Sequence, residues 1–331
     1  MFWLGTLAFM PSPKQLVSAP VRGYEIQWRG NDYAHAPDPL RLQANGFDRI
    51  IVRVFSDDEK GGGLYFNNPA FKTVRPVLDA WAPYFQGGKV ELWAWMGSRY
   101  FRWLKDVRIL DHEWQKGQKR IIPRLDLFNP DAEQTIVSMF KELAAKPVQG
   151  ILIQDDLVLR RGEGFSNWGR AHFTRKTGLA ADEAMMRQAG STHNLAWQTL
   201  KCERVGYILQ TIIQACKAVN PPIKMAMNIH YELASQPQQA RSWYAHDPET
   251  LAASGLDYFY LMAYHRQIRS ELNLDENASR LYFVKMTTAA LERFGARLVV
   301  KLQGRDWQTS APIPLEELKA YYDLIPAGVE R

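Results

Sequence analysis

Short apolar runs alternate with longer stretches of helical spacing along this chain. GYEIQW (23–28), RIIVRVF (49–55), KVELWAWM (89–96) and GILIQDD (150–156) read as strands, dense in β-branched and aromatic residues. KMAMNIH (224–230), LDYFYLMAYH (256–265) and RLVVKLQ (297–303) bring the set to seven. Helical patterns fall between them, beginning with a short one over 39–45. Asn129 and Pro130 make a cap and first-turn pair, after which Ile136, Met139, Phe140 and Leu143 recur at helical spacing. Cys202, Val205, Leu209, Ile212, Ile213 and Cys216 do the same before Asn220-Pro221-Pro222 stops the element.

Strand and helix in alternation imply a parallel sheet with right-handed crossovers. The strands are apolar throughout, as expected when both faces are covered. The pattern therefore predicts an α/β fold, a (β/α)₈ TIM-type barrel over 23–331 behind an N-terminal extension over 1–22. An eighth strand should begin at IPAGVER, where the sequence stops. The last strand is missing or truncated in this reading, or comes from elsewhere, such as the LVSAP stretch (16–20).

Composition adds limits. With 46% hydrophobic and 23% charged residues in 331, the chain is ordinary globular material. The formal charge is +6, but the 41 Lys and Arg are scattered, with no basic tract or zinc-finger spacing, so nucleic acid is not an expected partner. Cys202 and Cys216 lie 14 positions apart on one helix, about 21 Å of rise, beyond disulfide reach. The apolar start, MFWLGTLAFM, has no preceding positive residue and makes a poor secretory signal; no stretch has transmembrane length.

In such a barrel, working residues gather at the C-terminal ends of the strands. The fourth strand ends in Gln154-Asp155-Asp156, the fifth in Asn228-Ile229-His230-Tyr231-Glu232 and the sixth in Tyr264-His265. The seventh runs into Gln303-Gly304-Arg305-Asp306-Trp307, while Trp28 and Trp95 add flat rings on the first and third. Carboxylates with aromatic platforms are what a sugar site requires. Asp155 and Asp156 form the sharpest feature. In a regular strand they would face opposite sides, and two close carboxylates raise one another's proton affinity. The competing reading makes one a helix cap and the other a partner of Arg160 or Arg161. Glu163, in the loop Arg161-Gly162-Glu163-Gly164, either swings across a groove or sits in a solvated turn. His230 and His265 lack HxH or HExxH spacing, so neither metal nor cofactor is expected, and no GxSxG elbow occurs.

GILIQDDLVLRRGEGFS resembles the C-terminal glycoside hydrolase domain family of the bacterial poly-β-1,6-N-acetylglucosamine deacetylases (PgaB-like), in which a strand ends in two aspartates before an acidic loop. RLDLFNPDAEQ (124–134), LYFNNPAF, VELWAWM, KMAMNIH and VVKLQGRDW are similar in the same order, so the resemblance runs from about residue 23 onward. It implies a barrel that cleaves a partially deacetylated exopolysaccharide outside the cytoplasm, alongside partners in an export system. Asp155 and Asp156 would form the catalytic centre, Glu163 would be a candidate acid, and Asn228, Gln303, Asp306 and Trp307 would line the groove. His230, Tyr231 and Tyr264, from the strand ends, join Trp28 and Trp95 as substrate-binding candidates. Two departures stand out: Gly164 replaces the family's usual Asp, and Arg160 and Arg161 occupy a neighbourhood that is more acidic in the family.

The expectation is an endo-acting glycoside hydrolase on an N-acetylhexosamine polymer, with Asp156 in acid–base work and Asp155 orienting. The second group attacks directly, activates water, or orients the substrate's own acetamido group. The rival is a non-catalytic polysaccharide-binding barrel. A third reading is an intracellular hydrolase of phosphorylated or otherwise anionic sugars.

Overall fold

A computed structural model of the chain describes residues 22–26, 32–306, 308–327 and 329–330. Seven strands form one parallel sheet in sequential order: β1 (Gly23–Ile26), β2 (Arg49–Arg53), β3 (Glu91–Met96), β4 (Gly150–Ile153), β5 (Lys224–Ile229), β6 (Tyr258–Met262) and β7 (Leu298–Lys301). Crossovers carry α1 (Pro39–Ala44), α2 (Val77–Phe85), α3 (Pro130–Ala144), α4 (Thr192–Val219), α5 (Pro248–Ala252) and α6 (Glu276–Phe294), and α7 (Leu315–Tyr322) follows β7. This is a TIM-type barrel lacking one strand among the described residues, as the alternating pattern predicts.

The helix ends follow from local chemistry. The Asn129 side chain accepts from the Asp131 amide with Pro130 in the first turn, and Asn220 closes α4. Cys202 and Cys216 are free, buried thiols on that helix.

Two apolar layers hold the sheet. The larger packs the outer strand faces against the helices. The smaller fills the barrel interior with Ile51, Trp93, Trp95, Leu152, Ala226, Tyr260 and Val299. Its residues recur at every second position, so the interior can be counted along each strand. On β2 the count runs Arg49, Ile51, Arg53; on β7 it runs Val299, Lys301, Gln303. Arg49 plugs the lower end, with its guanidinium 4.0 Å from the Trp93 ring centroid and bonded to Glu91 and Tyr260.

β1 and β7 do not pair with each other. Between them lies an apolar cavity of about 560 Å³, lined in part by Tyr24, Ile51, Leu302, Leu318 and Tyr322. At its lower end Glu330 bridges Val299 in parallel and its carboxylate reaches Arg49 at 3.3 Å. Higher up, Glu25 on β1 meets Lys301 on β7 at 2.6 Å. The LVSAP stretch lies outside the described residues.

Two hairpins were not legible from the pattern. Phe55–Ser56 pairs with Gly63–Leu64, and Leu110–Gln115 pairs with Gln118–Leu125 through a turn in which Lys116 and Gly117 both have positive φ. Both hairpins rise from the C-terminal end of the barrel, after β2 and β3, where insertions build sites rather than scaffold. Among the described residues no helix is long and apolar enough to cross a membrane.

Gly150 opens β4 directly opposite Trp93, and a Cβ there would stand 2.3 Å from the buried indole. Gly150→Ala should therefore lower stability by about 1–3 kcal/mol through overpacking, read as a lower urea midpoint with an unchanged slope.

Candidate active site

The strand β4 stops at Ile153, and the chain turns there, so the two aspartates are no longer bound by strand alternation. They go to different places. Asp156 is 8% exposed and accepts from the Ser98 amide and hydroxyl and from the Arg99 and Tyr100 amides, all within 3.1 Å. Its carboxylate ties the end of β4 to the loop after β3. Asp155 keeps an open side chain, 37% accessible, with Oδ2 3.8 Å from His230 Nε2. Burial of its surroundings, then the Asp156 charge, raises its proton affinity above the ordinary carboxyl value; Lys301 and Arg160 pull the other way.

His230 directly follows β5 and stacks on Tyr244 at 3.9 Å with the rings 9° apart. Burial brings its pKa to about 4, so the imidazole is neutral near pH 7 and 3.8 Å from Asp155 is a contact rather than an ion pair. His246 lies beside it, 5.8 Å between ring centroids, with Nε2 at 3.0 Å from the Leu157 carbonyl. Tyr244 and His246 come from the segment after β5, and no local signal in the sequence marks them.

Lys301 forms the floor. Its ammonium meets Glu25 at 2.6 Å and Asn228 Oδ1 at 3.2 Å, and lies over the Trp95 and Tyr264 rings. Burial alone would make this lysine easier to deprotonate; the Glu25 carboxylate and Tyr264 outweigh it and hold the charge in place. Burial pushes the Tyr264 phenol up to about 12. Neither Glu25 nor Lys301 stood out in the sequence, although counting every second residue from Val299 leads to Lys301.

Buried polar atoms gather at this end of the barrel. Trp95 Nε1, Gln154 Oε1, Asn228 Nδ2, His230 Nδ1 and both side-chain atoms of Gln303 have no hydrogen-bond partner among the described residues. Such atoms are uncommon in protein interiors, and a cluster of them marks a place for a polar ligand or water.

Glu163 is closed off from solvent. It is 1% exposed, bonded to Arg99 at 2.8 Å and near Arg124 at 3.4 Å, and those guanidiniums hold its carboxyl below the ordinary value against the effect of burial. Arg99 itself is fully buried, with further bonds to Asp111 and to the Leu125 and Val158 carbonyls. The loop Arg161-Gly162-Glu163-Gly164 is thus neither a swinging arm nor a solvated turn. Gly164 has φ of +91°, and a Cβ would stand 2.8 Å from Trp197, so this backbone disfavours any larger side chain there.

The remaining candidates divide. Tyr231 donates to Glu271 at 2.9 Å. Asp306 caps its own turn through the Gln308 and Thr309 amides and pairs with Arg266 at 3.1 Å, which brings its pKa to about 2. His265 stacks on Tyr321 and meets Glu317 at 2.8 Å. Trp28 and Trp307 lie outside the described residues. No group of three metal-ligating side chains occurs among the described residues.

These side chains sit where a TIM-type barrel carries its active site, at the C-terminal mouth. The chain belongs to hypothetical glycosyl hydrolase family 13 (GHL13), whose model matches residues 40–330. Among solved structures it is similar to the PgaB (BpsB) glycoside hydrolase domain from Bordetella bronchiseptica, at 21% identity and a TM-score of 0.72 over 92% of this chain and 89% of that one. A β-galactosidase from Rahnella sp. R3 aligns at 14% identity and a TM-score of 0.56 over 94% of this chain and 56% of its own. An α-amylase from Lactobacillus plantarum aligns at 10% identity and a TM-score of 0.51, over 85% and 61%. At these identities the likeness shows the fold, which is of glycosidase type. No curated protein sequence matches the chain.

Glu163→Gln should cost about 3–5 kcal/mol in urea denaturation, because it strips the fully buried Arg99 of one of its two carboxylates.

Proposed function

We propose that this protein is an endo-acting glycoside hydrolase of a poly-N-acetylglucosamine-type exopolysaccharide. The observation that carries the reading is Asp155, a carboxyl of raised proton affinity standing open beside a cluster of unpartnered polar atoms. A carboxyl so placed is suited to protonating a leaving glycosidic oxygen. The roles assigned from sequence change accordingly: Asp155 becomes the acid and Asp156 the group that positions it, since four donors already surround the Asp156 carboxylate.

Glu25, Asp57 and Glu163 are committed to Lys301, Arg53 and Arg99, and Glu232, which keeps one oxygen without a partner among the described residues, is buried beneath Tyr244. With none of these four as open as Asp155, we favour the substrate-assisted route, an exception to the two-carboxylate pattern. The acetamido oxygen attacks the anomeric carbon as Asp155 delivers its proton to the departing oxygen. Water then opens the cyclic intermediate and returns a proton to Asp155. Asn228 Nδ2, Trp95 Nε1 and Gln303 supply hydrogen bonds to the sugar. Location outside the cytoplasm and partners in an export system rest on the family resemblance.

The test is digestion of partially deacetylated poly-β-1,6-N-acetylglucosamine, with mass spectrometry of the soluble products. Wild type should release oligosaccharides, and Asp155→Asn should slow release by about 10²-fold or more while remaining folded. Intact polymer that still binds the protein would favour the polysaccharide-binding reading, which the locking of Glu163 in an internal ion pair favours.

A pH profile checks the role of Asp155 separately. As an acid it works protonated, so kcat/KM should fall as pH rises through its raised pKa. Lys301 lowers that pKa, and Lys301→Met should shift the falling limb to higher pH.

A further inference from the structure

The segment between β5 and α5 is fastened to the loop that follows Asp155 and Asp156. Its short helix Pro237–Tyr244 ends at Ala245, whose φ of +58° lies in the left-handed region that residues with a side chain seldom adopt. Hydrogen bonds hold the turn on both sides of this buried alanine. The Tyr244 carbonyl accepts from the Leu159 amide at 3.0 Å, and His246 Nε2 donates to the Leu157 carbonyl at 3.0 Å. A strained backbone persists where its surroundings over-determine it, and such places cluster at functional sites. Here the turn lays the Tyr244 ring flat on the imidazole of His230, with centroids 3.9 Å apart. The far end of the phenol is anchored as well, its hydroxyl donating to the buried Glu232 at 3.2 Å.

With its face on Tyr244, the imidazole turns Nε2 toward Asp155 Oδ2 at 3.8 Å, while Nδ1 has no hydrogen-bond partner among the described residues. A neutral ring carries one N–H, and the neighbouring carboxyl is the acceptor that places it on Nε2. At 3.8 Å this N–H makes no hydrogen bond. Catalytic hydrogen bonds are often long in the free enzyme and tighten when the reaction develops charge. On Asp155 that charge appears once its proton leaves. The other titratable groups acting on the pair are Asp156, Lys301, Arg160 and Tyr264 around Asp155, and His246 and Arg160 around His230. Glu232, Glu271 and Arg160 act on Tyr244.

We propose that Tyr244 is a positioning residue for the hydrolysis, its ring holding the His230 imidazole so that Nε2–H is aimed at Asp155 and stabilises the carboxylate left when the glycosidic oxygen takes the proton. The assignment rests on the reading of Asp155 as the reacting acid. The imidazole proton stays on its nitrogen throughout, and only the Asp155 O–H bond breaks. Hydrogen bonds to a charged group are the strong ones, so a donor that tightens as Asp155 ionises favours the transition state over the ground state.

One measurement needs no substrate: nitrogen NMR of the full chain carrying isotope-labelled histidine, with the His230 signals identified by their loss in His230→Gln. They should be those of a neutral ring protonated at Nε2, and should move as Asp155 titrates but not in Asp155→Asn. Tyr244→Leu should weaken that response, and Tyr244→Phe, which keeps the stacked face, should retain it. A ring protonated at Nδ1, signals indifferent to Asp155, or a Tyr244→Leu response equal to wild type would overturn the assignment. The second measurement is kcat and KM on partially deacetylated poly-β-1,6-N-acetylglucosamine across pH. Tyr244→Leu should lower kcat about tenfold, leave KM within about twofold and move the falling limb of kcat/KM to higher pH, because the carboxylate loses a donor. Tyr244→Phe should recover most of the rate. A change confined to KM, or a limb that does not move, would count against positioning and leave the hydrolase standing. Polymer left intact by wild type, with the His230 response present and dependent on Tyr244, would sink the hydrolase reading and leave the aiming of His230 in place.

Discussion

The ion pair between Glu25 and Lys301 joins the two sheet edges that share no backbone hydrogen bonds, and it does so inside the mouth of the barrel. A buried lysine is costly unless its charge is matched and its hydrogens are placed. Here Glu25, Asn228 and the faces of Trp95 and Tyr264 surround the ammonium, so elements from β1, β3, β5 and β6 converge on one residue of β7. The scaffold thus carries charge at its open seam, and the same charge moderates the proton affinity of Asp155. Fold closure and site electrostatics depend on one contact.

Adjacent aspartates show how position at a strand end separates two identical side chains. Asp156 receives amides from the loop over 98–100 and becomes part of the frame, while Asp155 stays open toward His230. Burial raises the proton affinity of one carboxyl, and donors surround the other. The loop over 161–164 follows the same logic at larger scale. Glu163 and Asp111 flank Arg99 in a region closed to solvent, and Gly164 adopts a backbone that a side chain would obstruct. Glycine at 164 is, in this fold, a packing requirement.

Hairpins follow β2 and β3 at the mouth of the barrel. In a TIM-type barrel such insertions distinguish one substrate from another while the strands stay constant. That is why a shared fold at 21% identity carries little information on which sugar is bound.

The order of seven strands, their parallel sense and the caps of α3 and α4 were legible because each depends on residues close in sequence: alternation, helical spacing, an Asn-Pro start. The placement of Asp155 and Asp156 at the end of the fourth strand followed from the same local pattern. Lys301 was legible in principle, since the interior count along β7 reaches it, but an isolated lysine in an apolar strand gives no sign of the glutamate it will meet 276 positions earlier. Which aspartate faces the mouth was decided by Ser98, Arg99 and Tyr100, more than fifty residues away. Burial of Glu163, the stacking of Tyr244 on His230 and the seam between β1 and β7 likewise depend on segments that meet only when the barrel closes. Local periodicity determines which face a side chain takes within a strand; beyond the strand end, long-range partners determine where it points.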